Sequence, residues 1–86
     1  MTFWLRCSLE RGMFPCEYTV EMETLSAGRI SLFAPDYKVK VDENLVRVEM
    51  LQDNDDDEVF VRLPSPPLEI TSQTVKVSRS SIVTFA

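Results

Sequence analysis

Apolar and polar residues alternate with a period of two along most of this chain, and no stretch of eleven residues carries a helical period. Tyr18, Val20 and Met22 alternate with Thr19, Glu21 and Glu23, and Ile30, Leu32 and Ala34 with Arg29, Ser31 and Phe33. Val46, Val48 and Met50 alternate with Arg47 and Glu49, and Val59, Val61 and Leu63 with Phe60 and Arg62. Shorter runs at 37–41, at Leu68 and Ile70, and at Val75 and Val77 continue the pattern. Runs this short and this rich in β-branched residues read as strands with one buried face.

Parity tests which strands pair. With Ser26, Ala27 and Gly28 as a three-residue loop, Thr24 falls opposite Ile30 and Met22 opposite Leu32, so the apolar faces coincide. With residues 52–57 as a second loop, Met50 falls opposite Val59, Val48 opposite Val61 and Val46 opposite Leu63. A loop one residue longer or shorter would turn the apolar set into water. The expected core is Val20, Met22, Ile30, Leu32, Val46, Val48, Val59, Val61, Val75 and Val77. Pro35 ends a strand, and the Pro64-Ser65-Pro66-Pro67 cluster turns a corner. The tail 78–82 suits a tight turn that returns Ile82 to the core.

Five to seven short antiparallel strands without a substantial helix cannot rest as one open sheet in water. The expected fold is therefore all-β, a small antiparallel, partly open barrel of SH3-like kind. An OB-like barrel is the alternative, disfavoured because no helix pattern is found. A chain of 86 residues holds one core of this size, placed here in residues 13–86. Residues 1–12 read as a peripheral segment. Phe3, Trp4 and Leu5 form an apolar triplet that Arg6 interrupts, and Glu10, Arg11 and Gly12 look like a turn before Met13.

Composition excludes more than it assigns. The chain has no His, which removes His bases, Ser-His and Cys-His nucleophile pairs and His-containing metal sites. Its two glycines cannot make a phosphate-cradling loop. Glu21 and Glu23 share a solvated strand face, which suits neither acid nor base work at neutral pH. No catalytic, cofactor-binding or metal-ligating residue is expected. The two cysteines, Cys7 and Cys16, read as reduced thiols, with one bridge between them as the alternative. No secretory or membrane-spanning pattern is present, so a cytoplasmic protein is expected.

Net charge is −5, and Asp53, Asp55, Asp56, Asp57 and Glu58 account for the excess. Spacing in this run fails the calcium-loop pattern, because Glu58 stands where glycine is required and Pro64 where the final acid belongs. A solvated hairpin tip is the better account.

The candidate binding patch is Arg47, Arg62, Phe60 and Phe33. In the deduced register Arg47 and Arg62 lie opposite each other, and Phe60 faces Glu49 on the same outward surface. Two like charges in that position repel unless something neutralises them. An outward Phe beside two Arg can take an anion, a peptide or a base. The expected function is a small non-catalytic module that binds a protein or peptide. One alternative is a nucleic-acid-binding barrel using Arg47, Arg62, Lys38 and Lys40 with Phe33 or Phe60 for stacking, which the negative net charge disfavours. The other is a homo-oligomer contact, with Trp4 either capping the barrel or meeting a second copy.

Overall fold

In the computed structural model, residues 2–53 and 57–85 are described. They form strands β1 (Thr2–Arg6), β2 (Ser8–Arg11), β3 (Glu17–Thr24), β4 (Gly28–Pro35), β5 (Val39–Lys40), β6 (Leu45–Asp53), β7 (Glu58–Arg62), β8 (Thr74–Ser78) and β9 (Ile82–Phe85). Two single 3-10 turns, Asp36–Lys38 and Arg79–Ser81, precede β5 and β9. The fold is all-β, as the alternation implies.

The strands make two antiparallel sheets. One runs β8-β7-β6-β1-β9, with β5 added beside β6, and the other runs β2-β3-β4. They do not join into one continuous ladder, so the barrel is not closed. All ten expected core residues are buried, and they belong to one cluster drawn from both sheets. Leu5, Ala34, Val39 and Leu63 complete it.

Sheet edges are liabilities because their N–H and C=O groups lack partners. Two edges here are covered. The β3–β4 loop reaches β8, where Leu25 N–H donates to Lys76 C=O at 2.8 Å and Lys76 N–H donates to Ser26 Oγ at 3.0 Å. The irregular segment 63–73 lies along β4. Leu68 N–H donates to Ser31 C=O, Ser65 Oγ donates to Phe33 C=O, and Ser31 donates from both its N–H and its hydroxyl to the Glu69 carboxylate. The proline cluster therefore stiffens a strap across an edge, and Leu68 is 60% exposed instead of continuing a strand.

Local chemistry explains the turns. Gly28 has φ +67°, a left-handed conformation in which a Cβ is strained. Thr24 beside it is buried yet satisfied: its hydroxyl donates to Gly28 C=O at 2.8 Å and accepts from Ala27 N–H at 2.9 Å. Asn44, with φ 57°, closes the β5–β6 turn in the same region, which Asn tolerates. At Gly12 a Cβ would stand 2.9 Å from Glu17 C=O, so only glycine fits this close approach.

Three expectations need correction. Both hairpin registers are displaced by two residues. Met22 pairs with Ile30 and Thr24 with Gly28, while Met50 pairs with Val61 and Glu49 with Arg62. A shift of two keeps every side chain on its face, so parity cannot detect it. A bulge between Met50 and Gln52 adds a further irregularity, and β6 runs on to Asp53, shortening the second loop. Thirdly, residues 1–12 are not peripheral at β1, which is hydrogen-bonded on both sides, to β6 and β9. Leu5 is 1% exposed in the core. Trp4 is 8% exposed on the opposite face, edge-to-face with Phe85 and beneath the Lys40 ammonium, 4.9 Å from its ring. The triplet is apolar throughout because both faces of the strand are covered. Asn54, Asp55 and Asp56 of the acidic run lie outside the described residues.

Candidate functional site

Strand β6 changes partner along its length. Residues Leu45 to Val48 pair with β1 on one edge. On the other edge Leu45 and Val46 pair with β5, while Glu49 onward pair with β7. No described strand covers Arg47 and Val48 on that second edge. A bulge follows in β6, between Met50 and Gln52. Asp36–Lys38 ends on one side of the gap, and Leu63 and Pro64 follow β7 on the other.

A half-open groove of about 560 Å³ occupies this seam. Its apolar lining comes from Phe3, Met50 and Pro64, all half-buried, and from Val48 and Leu63, which are buried and continue into the core. Its polar side chains include Lys38, Arg47, Glu49 and Arg62, with Thr2 and Gln73. Arg47 pairs across the ladder with Trp4, and Arg62 with Glu49 on one side and Thr74 on the other. The two arginines are thus not directly opposed. Separating them by two residues, with Glu49 opposite Arg62, relieves the repulsion that the expected register implied.

Among the described residues, neither arginine, nor Lys38 or Glu49, makes an ion pair or a side-chain hydrogen bond. Three cations elsewhere are engaged, whereas Arg6 and Arg11, both outside the groove, also lack an ion pair or side-chain hydrogen bond among the described residues. Arg29 binds Glu21 at 3.1 Å and Glu23 at 3.3 Å, and these carboxylates raise its pKa further. Lys76 binds Glu58 at 3.4 Å, and Lys40 rests over Trp4 and Phe85.

The two phenylalanines of the expected patch do not join the groove. Phe60 pairs with Gln52 and Lys76, and the Lys76 ammonium stands 5.6 Å from its ring. Phe33 lies on the other sheet, opposite Thr19. Arg47 and Arg62 come together with Lys38 instead, a residue the pattern had placed only in the nucleic-acid alternative. Sequence spacing gives little signal for this grouping, because Lys38 reaches the seam from the β4–β5 connection and Pro64 and Gln73 from the two ends of the β7–β8 connection.

Cys7 and Cys16 are both free thiols. Burial pushes the Cys7 thiol up to about 12, so it is protonated at neutral pH and a poor nucleophile. Among the described residues there is no cluster of three metal-binding side chains, and no helix is long and apolar enough to cross a membrane. No protein-family model, curated protein or solved structure matches the chain.

Proposed function

We propose that the protein is a small non-catalytic interaction module and that the seam groove is its contact site. The observation that carries this reading is the convergence of Lys38, Arg47 and Arg62, each without a partner among the described residues, beside an apolar lining. Arg29, by contrast, is held within the fold by Glu21 and Glu23. Groups left open beside exposed apolar surface are what a recognition site needs: orientation from the polar groups and burial from the lining. No described Ser, Cys or His lines the groove.

Selection of a displayed peptide library against the immobilised protein tests this, followed by amide-shift mapping of the enriched peptides. Shifts centred on Lys38, Arg47 to Met50 and Arg62 to Leu63 are expected. Peptides that map to the β2-β3-β4 sheet, or no enrichment, would contradict it.

A further inference from the structure

We infer that the groove takes an acidic peptide segment, with side-chain carboxylates against Arg47, Arg62 and Lys38, a backbone N–H at Glu49 and an apolar side chain on the apolar lining. This deepens the reading of the groove as a contact site and rests on it.

Charge sets the sign of the ligand. The groove sets three cations that are unpaired among the described residues against one carboxylate, in a chain whose acids outnumber its bases by 14 to 9. Nearby cations that are already held by Glu21, Glu23, Glu58 or aromatic rings offer no comparable attraction. An anionic ligand meets a local positive field here, and the global negative charge opposes its binding elsewhere.

Hydrogen-bonding capacity sets the class. Arg and Lys only donate, so they need acceptors, and a carboxylate meets a guanidinium in a bidentate fork. Ionised Glu49 only accepts, so the same ligand must also donate beside it. A peptide offers both, through its carboxylates and its backbone N–H groups. A phosphodiester backbone presents acceptors alone and would be repelled by Glu49. Phe3 is the one aromatic side chain in the groove lining, whereas Phe60 sits beside Lys76 and Phe33 on the other sheet, so successive bases would find no second ring to stack on there. A bare inorganic anion would leave the half-buried Phe3, Met50 and Pro64 uncovered.

The test is fluorescence anisotropy with a labelled peptide of alternating Glu and Leu, its Gln-for-Glu counterpart and a single-stranded oligonucleotide. The acidic peptide is expected to bind roughly tenfold tighter than the Gln peptide, the sum of two or three exposed charge pairs. Raising salt should weaken it. Arg47→Gln/Arg62→Gln should lose roughly the same tenfold, and Lys38→Gln a smaller part. Circular dichroism checks that each variant folds, and Lys38→Gln, on a turn outside the sheets, keeps the test open if the double variant does not. Equal binding of both peptides, lost in the double variant, overturns the acidic class while the contact-site reading stands. Peptide binding that survives both variants overturns the acidic class and the groove together. Tighter binding of the oligonucleotide, abolished by Arg47→Gln/Arg62→Gln, replaces the peptide with nucleic acid. No binding of any probe overturns the inference.

Discussion

In the β3–β4 hairpin eight consecutive pairs run without interruption, and its outward cation, Arg29, is held by Glu21 and Glu23. In the β6–β7 hairpin the ladder breaks at a bulge, and the outward cations Arg47 and Arg62 have no partner among the described residues. Both hairpins present alternating sequence and both bury their apolar faces in the same cluster. The difference lies on the outside. One hairpin neutralises its own charge and is complete. The other changes partner midway, opens a groove and leaves charge at its rim. A regular ladder is good scaffold, and the place where it fails is where a ligand finds room.

The largest test of this contrast is in the core. Ile30 is fully buried at the centre of the regular hairpin, whereas Met50 is half-buried at the seam. Ile30→Ala should cost about 2–5 kcal/mol by urea denaturation, a large part of the stability of a domain this small. Met50→Ala should fall at or below the low end of that range, because its site is already open to the groove. Equal losses would mean that the seam is packed as tightly as the hairpin.

Next is the turn. Thr24→Val removes a buried hydroxyl that both donates and accepts, leaving Ala27 N–H and Gly28 C=O short of a partner. A loss of about 1–3 kcal/mol is expected in thermal melts, with peptide binding at the groove unchanged. Weakened groove binding would show that the two regions are coupled.

Smaller effects belong to the exposed charges. Hydrogen bonds from Ser31 hold the Glu69 carboxyl below its usual range. Its folded pKa is thus lower than its unfolded value. The strap adds stability above the ordinary carboxylate range and loses it as pH falls through the lowered native value. Glu69→Gln should therefore flatten part of the acid limb of a stability-against-pH curve, and an unchanged limb would contradict the latch. Smallest of all, Arg29→Gln should lower stability slightly at low salt and not at high salt, while Arg47→Gln/Arg62→Gln should leave stability unchanged at both.

Much of the fold was legible because alternation reports burial directly. All ten residues chosen for the core are in it. What alternation does not report is a register shift by an even number of residues, and both hairpins moved by two. The second shift brought Glu49 opposite Arg62 and removed the direct Arg47–Arg62 opposition. Alternation also fails where both faces are covered. Phe3, Trp4 and Leu5 read as an apolar triplet in a peripheral segment, whereas Leu5 faces the core and Trp4 is sheltered by Lys40 and Phe85. Of the four patch residues, the two arginines share the groove, and Phe60 and Phe33 do not. The groove itself depends on where β5 stops, where β7 begins and how 63–73 folds back, which are long-range facts with no local pattern.

The central claim is that charge on the regular hairpin is spent and charge at the seam is available. Amide-shift mapping during titration with the alternating Glu-Leu peptide tests it most directly, because both surfaces carry arginine and report in one spectrum. The account predicts saturable shifts at Lys38, Arg47 to Met50 and Arg62 to Leu63, with Glu21, Glu23 and Arg29 unmoved. Shifts that centre on Arg29, or that spread evenly over both hairpins, would contradict it.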